Sequence, residues 1–277
     1  MREHQSVMSG SLTPPTDESG TNSNDDSSTA ADETAAESTN DTENPSGMTD
    51  QDRYTFDDVS VVMGTYNEEA AIETVLSDID DVTDGRAEVV CVDGSSDRTP
   101  EIAREHGATV IEQEPQGYGV AVREAILTPD RPVVVTTDCD DTYPMDQLPE
   151  FLDAINDGAD VVSGDRLYHG AETMPAFNRF GNHTFAAIAS LLMGKRVHDT
   201  TTGMRAYRRD VIESIDWTEN TGLSAELLIR PLMRGYDIRE HPIDYAERLG
   251  ETKLDPIEGG AAIAKSIVKV CLEERFR

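Results

Sequence analysis

The chain has 277 residues, 55 acidic against 23 basic, and a formal net charge of −32. Such a charge repels nucleic acid and anionic surfaces at long range and excludes a protein that holds nucleic acid by electrostatics. Hydrophobic residues still make up 37%, so the acidity belongs to a folded protein, and its spread along the chain fits a highly saline cytoplasm with strong screening.

Residues 1–55 are rich in Ser, Thr, Asp, Glu, Asn and Gly and nearly free of apolar side chains. They cannot bury enough surface to offset ordering entropy and are expected to form a disordered acidic tail, with Met48 as a natural alternative start. From Phe56 strands and helices alternate. The pattern predicts strands at Val59–Thr65, Ala87–Asp93, Thr109–Glu112, the Val133-Val134-Val135 run and Ala159–Gly164. Between them it predicts helices at Glu68–Ile79, Thr99–Glu105, Gly119–Leu127 and Met145–Ile155. This βα alternation points to an α/β, doubly wound, mostly parallel sheet in one catalytic domain, residues 56–277. Beyond Asp165 the rhythm breaks. A helix is expected over 176–193, extended chain at Thr201–Tyr207 and Asp237–Tyr245, and helices at Ser224–Arg234 and Gly260–Leu272. In the last, Ile263, Ile267, Val270 and Cys271 share a stripe flanked by Lys265 and Lys269, which fits either core packing or contact with a lipid interface.

No window has the length of a transmembrane helix, and the N-terminus lacks a basic-then-apolar leader. Cys91, Cys139 and Cys271 show no paired spacing, as in a reduced intracellular protein. There is no P-loop, no zinc spacing among the six His and no G-x-S-x-G elbow.

The chemistry concentrates where strands end. Val133-Val134-Val135 runs into Thr136-Thr137-Asp138-Cys139-Asp140-Asp141. A D-x-D pair at a strand's carboxyl end can present two hard oxygen ligands to Mg²⁺ or Mn²⁺, which in turn grips a diphosphate; the alternative is a solvated acidic turn. Thr65-Tyr66-Asn67-Glu68 and Asp93-Gly94-Ser95-Ser96-Asp97-Arg98-Thr99 end two other strands. Asp93 could accept from a base or ribose and Gly94 permits close backbone approach, while Asn67 and Thr99 could be helix caps instead. Gln116-Gly117-Tyr118-Gly119 opens a helix without the full dinucleotide glycine pattern.

Taken in order, T-Y-N-E, V-D-G-S-S-D-R-T, Q-G-Y-G and D-C-D-D-T-Y-P resemble the family 2 glycosyltransferases with the GT-A fold. Ser163-Gly164-Asp165-Arg166, Arg179-Phe180-Gly181-Asn182, Asp199-Thr200-Thr201-Thr202-Gly203-Met204-Arg205 and Arg248-Leu249-Gly250-Glu251-Thr252-Lys253 sharpen the likeness. They resemble the polyprenyl-phosphate sugar transferases of the dolichyl-phosphate mannose synthase type. The acidity points to the haloarchaeal dolichyl-phosphate hexose transferases of N-glycosylation. Gly64 stands where that family usually has Pro, and Thr142 where mannose synthases have Gln.

The resemblance implies a nucleoside-diphosphate hexose donor, a dolichyl or polyprenyl phosphate acceptor and inverting, metal-dependent transfer. It implies a peripheral location on the cytoplasmic face of the cell membrane. It places Thr65, Tyr66, Glu68, Asp93, Gly94 and Gly117 at the nucleotide and Asp138 and Asp140 on Mg²⁺ or Mn²⁺. It places Asp199 and Arg205 at the reacting centre and Arg166, Arg179, Arg248 and Lys253 at phosphates. The competing classes are a sugar-phosphate nucleotidylyltransferase, which would want a Gly-rich basic loop where Gly64–Glu69 stands, and a non-catalytic nucleotide-sugar sensor.

Overall fold

The computed structural model of the chain describes residues 53–250 and 256–277. The expected tail, up to residue 52, and Lys253 lie outside the described residues. Arg53–Thr55 lead into the fold: Tyr54 N–H donates to Asn156 Oδ1 at 2.8 Å, ahead of a 3₁₀ turn at Phe56–Asp58.

Seven strands form one sheet in the order β3-β2-β1-β4-β6-β5-β7. They are β1 Val59–Thr65, β2 Glu88–Asp93, β3 Thr109–Glu112, β4 Val133–Thr136, β5 Val161–Asp165, β6 Arg205–Arg208 and β7 Ile238–Pro242. The chain steps from β1 outward to β2 and β3, then returns to place β4 on the other side of β1. That reversal puts a crevice at the carboxyl ends of β1 and β4, where open α/β sheets receive ligands. β6 runs antiparallel to both β4 and β5, and β7 parallel to β5.

The unbroken apolar runs of β1 and β4 follow from cover on both faces. Val59, Val61, Met63, Val133 and Val135 face α1 (Ile72–Thr83), α2 (Thr99–Glu105) and α4 (Leu148–Asn156). Val62 and Val134, at the intervening positions, face α3 (Tyr118–Leu127), α6 (Arg209–Glu213) and α7 (Leu223–Arg234). A third cluster joins α5 (Ala176–Met193), α7 and α8 (Pro256–Arg275).

The expected strands and helices are present, with shifted ends. α1 starts at Ile72 and not at Glu68, because residues 66–71 form a loop with Asn67 at φ 54°. Neither expected cap acts as one. Asn67 Oδ1 accepts from Ser96 N–H at 2.8 Å across the crevice, and Asp97, not Thr99, accepts the N–H at the start of α2. Extended chain expected from Thr201 begins at Arg205. In α8, Ile267, Val270 and Cys271 are buried against α5 and α7, so that stripe is core.

Candidate active site

Register builds the first wall of the crevice. The β1–β2 pairing sets Thr65 beside Asp93, and Thr65 Oγ1 donates to Asp93 Oδ1 at 2.6 Å. Ser95 adds its N–H to Oδ2 at 2.9 Å and its hydroxyl to Oδ1 at 2.7 Å. Gly94 N–H closes the turn onto Thr65 C=O. Glu68 N–H donates to Thr99 Oγ1 at 2.8 Å and Asn67 N–H to Ser95 Oγ at 2.7 Å. The two loops that the sequence singled out are thus stitched into one unit. Tyr66 is 45% exposed on it.

The floor comes from β4. Asp140 is buried, and its Oδ1 accepts from Thr142 N–H at 3.2 Å and Thr142 Oγ1 at 2.5 Å. Asp141 sits at φ 61°, a costly conformation that turns the chain sharply there. Asp138 remains partly exposed. Burial, then the charge of Asp140, pushes its carboxyl up to about 6, which leaves it largely ionised at neutral pH. It accepts from Tyr118 Oη at 3.2 Å. A Cβ on Gly203 would lie 2.5 Å from Asp138 Oδ2, so only glycine lets the 199–204 loop press on this carboxylate.

Arg248 covers the pair. Its Nη1 donates to Asp140 Oδ2 at 2.6 Å and its Nη2 to Glu68 Oε1 at 2.8 Å. Leu249 N–H and Ala246 N–H bond to the carbonyls of Asp140 and Thr142, so the strap after β7 lies along the D-x-D turn. Among the described residues, Arg248 Nε is buried and donates to nothing. Asp138 and Asp140 are hard oxygen donors of the kind Mg²⁺ or Mn²⁺ takes, and two carboxylates leave coordination positions for phosphate oxygens. No group of three or more ligating side chains exists among the described residues. Two carboxylates fill only part of a six-coordinate shell, so this donor set fits a metal whose other positions a substrate completes.

The second wall is cationic. Arg166 Nε and Nη2 grip Asp199 Oδ2 and Oδ1 at 2.7 and 2.9 Å, and its third arm donates to Tyr143 Oη at 3.3 Å. Tyr245 lies over the guanidinium, 5.4 Å from ring centre to Cζ. Arg166, expected at phosphates, has its fork taken up by Asp199 in this structure. Asp199, expected to orient Arg205 or meet the sugar, pairs with Arg166. Its burial would raise its pKa, but the Arg166 charge and hydrogen bonds outweigh that and hold it below the usual 3.8. Arg205 is fully buried, donating to Ser163 Oγ, Ser224 C=O and Thr200 C=O at 2.9, 2.8 and 3.1 Å. Arg179, near the start of α5, donates to Gly170 C=O at 3.2 Å and keeps part of its surface in solvent.

Several residues here escaped the sequence reading. Asn220 accepts from Gly119 N–H at 2.9 Å and donates to Gln116 C=O at 3.0 Å. It thereby fixes the turn around Gly117, itself at φ 103°. Ser224 reaches Tyr118 Oη at 3.4 Å. Tyr143 Oη accepts from Gly203 N–H at 2.7 Å and joins the D-x-D turn to the Arg166 wall. The signal for Tyr143 was in the D-D-T-Y-P run; Asn220 and Ser224 had none.

Comparison with known proteins agrees with this geometry. Residues 60–216 match the glycosyl transferase family 2. A dolichyl-phosphate hexose transferase of Haloferax volcanii is 77% identical over 224 residues, 81% of this chain and 98% of the relative. A polyprenol monophosphomannose synthase of Mycolicibacterium smegmatis is 28% identical, across 76% of this chain and 84% of the relative. Among solved structures, glucosyl-3-phosphoglycerate synthase of Mycobacterium tuberculosis, in complex with Mn²⁺, UDP-glucose and phosphoglyceric acid, shares the fold. Its TM-score is 0.63 at 23% identity, over 78% of this chain and 79% of that one. The crevice at the β1/β4 reversal, the carboxylates on its floor and a match running through more than half of the sequence place this chain in glycosyl transferase family 2.

Proposed function

We propose that the enzyme transfers a hexose from a nucleoside-diphosphate hexose to dolichyl or polyprenyl phosphate. The transfer is inverting, assisted by Mg²⁺ or Mn²⁺, and takes place at the inner face of the cell membrane as an early step of protein N-glycosylation. The observation that carries this reading is the 77% identity to a dolichyl-phosphate hexose transferase, extending over 98% of that relative. The site chemistry supports it.

The stitched loops after β1 and β2 bind the nucleoside, with Tyr66 offering an exposed ring and Asp93 its remaining lone pairs. Asp138 and Asp140 would hold the cation, which when bound offsets the charge of the departing diphosphate. Arg248 Nε, a buried donor with nothing to donate to among the described residues, is placed to meet a phosphate oxygen. A lipid phosphate is already anionic at neutral pH, so the attacking oxygen needs no strong base. What it needs is orientation, and the partly exposed Arg179 supplies it while Arg166, Asp199 and Arg205 keep the wall behind it rigid. The phosphate oxygen forms its bond to the anomeric carbon opposite the breaking bond to diphosphate, which inverts that carbon.

Purified protein in molar KCl with Mn²⁺, polyprenyl phosphate and a panel of nucleoside-diphosphate hexoses tests the reading. One donor should give a charged hexosyl-phospholipid. Turnover of a sugar 1-phosphate with a nucleoside triphosphate instead would make the protein a nucleotidylyltransferase. Donor binding without any transfer would make it a sensor.

A further inference from the structure

The chain from Thr173 to His198 contains no Asp or Glu, although one residue in five of the whole sequence is acidic. It holds Arg179, Lys195 and Arg196 instead. Most of it is α5, and that helix has two apolar faces. Phe185, Ile188, Ala189 and Leu192 pack inward against α7 and α8. On the opposite side Phe177, Phe180, Thr184, Ala187 and Leu191 follow one another at spacings of three and four and form one stripe. All five are exposed, with Phe177 at 59%, Phe180 at 72% and Leu191 at 83%. Tyr168, on the loop leading to α5, is 62% exposed. A cavity of about 500 Å³ opens beside the stripe, lined by Leu167, Tyr168, His183, Ala187, Arg196 and His198. It lies at the end of β5, whose last residue, Asp165, also lines it.

We propose that the outer face of α5, with Tyr168, is a membrane-docking surface that seats on an anionic lipid bilayer. It takes its purpose from the reading of the acceptor as a lipid phosphate. Charge selects the partner. A body of net charge −32 is repelled by anionic headgroups on any face that carries its carboxylates. Among the described residues, the α5 face pairs an apolar stripe that carries no acid with cations near both ends, the flanking carboxylates being Glu172 before it and Asp199 after it. In molar salt the screening length is only about 3 Å, so headgroup attraction is weak and insertion of the aromatic and aliphatic side chains supplies the binding. Aromatic rings and Arg suit the headgroup boundary, where one end of a side chain is apolar and the other wet. The stripe starts at the same loop that leaves Arg166, so a bilayer seated there brings a lipid phosphate to the cationic wall without lifting it far from its leaflet.

Flotation of the full chain with vesicles in molar KCl, without donor, tests this. The protein should float with phosphatidylglycerol vesicles and more weakly with phosphatidylcholine. Phe177→Ser with Phe180→Ser should weaken partitioning at least about tenfold. Leu191→Ser, far from the carboxylates, should weaken it by a smaller factor and covers the case in which the aromatic variant fails to fold. Both variants should melt like the parent and keep transfer to a short, water-soluble prenyl phosphate. No flotation of the parent, or flotation unchanged in both variants, overturns the proposal. So does a parent dimer that either variant turns into a monomer, since the stripe would then bind a second copy. Because flotation needs no sugar donor, vesicle binding without hexose transfer would defeat the proposed reaction and leave this surface standing.

Discussion

Replacing Asp199 by Asn should cost the fold more than any other single change at the site. Asp199 is wholly inaccessible and the Arg166 side chain is 8% exposed. The pair is bidentate, and Asp199 Oδ1 also accepts from Thr201 N–H at 3.0 Å. Asn keeps the shape but loses the charge, and its NH₂ group turns donor against donor. Arg166 is then a buried cation without its bonded counter-charge, and breaking such a pair from one side costs roughly 3–5 kcal/mol. Domains are stable by only about 5–15 kcal/mol, so the loss is a large share. The pH dependence has a definite sign. The folded pKa of Asp199 lies below its ordinary 3.8, so its contribution is fully present above that value and is lost as pH falls through the folded one. The gap between parent and variant should be flat around neutrality and narrow only below about pH 4. Urea unfolding in molar KCl, run as a pH series, measures it. Arg166→Met with Asp199→Leu should cost less than Asp199→Asn alone, because no charge is left unpaired. A loss below about 1 kcal/mol in Asp199→Asn, or a double variant as damaging as the single, would refute the argument.

The other expectations concern turnover and salt. Asp138→Asn and Asp140→Asn should each lower kcat about 10²-fold or more; near-parental rates in both, with Mn²⁺ still required, would remove them from the metal. Gly203→Ala should leave the melting temperature close to that of the parent but raise the Mn²⁺ concentration needed for half-maximal rate, since the new methyl displaces the Asp138 carboxylate. An unchanged metal requirement would show that the 199–204 loop yields instead. Melting temperature should climb steeply with KCl, because a net charge of −32 repels itself when unscreened. A salt-insensitive melt would contradict a saline setting.

What the sequence disclosed follows from how each feature is encoded. Val133–Val135 announced a buried strand because three successive β-branched residues need cover on both faces, and the following carboxylates marked its carboxyl end. The direction of β6 was not legible, since periodicity is the same for a parallel and an antiparallel strand. The partners of the arginines were hidden for a related reason. Arg166 and Asp199 are 33 residues apart, Asn220 and Gly119 are 101 apart, and only the packed chain brings them together. Arg166, Arg179, Arg205 and Arg248 look alike in sequence, yet Arg166 and Arg205 are locked inside the wall, Arg248 covers the crevice floor and Arg179 holds the loop before α5. The stripes on α5 and α8 were equally ambiguous. Each has apolar residues at helical spacing, but α8 turns its stripe to the core and α5 presents one stripe inward and a second to solvent.

The charges of the site are arranged differently on its floor and in its wall, and that arrangement bears on the chemistry more than any single residue. On the floor, Arg248 bonds to Asp140 and Glu68, while Asp138 feels the charge of Arg166 more strongly than that of Arg248. Three carboxylates with one bonded guanidinium and a second shared with the wall leave the floor net negative, and a divalent ion would offset that. In the wall, Asp199 stands near two guanidiniums. Arg166 holds it directly, and Arg205 lowers its pKa through space while hydrogen-bonding only to neutral oxygens. Glu240 accepts from the N–H groups of His198 and Asp199, and buried Asp165 bonds to His198, so carboxylates and guanidiniums are interleaved in this wall. Nineteen of the 23 basic residues of the chain are Arg. That choice matters at such a wall: a guanidinium stays charged when buried and can be held at several points, whereas a buried ammonium gives up its proton. In a chain so rich in carboxylates, this wall keeps two buried guanidiniums in places fixed by the fold.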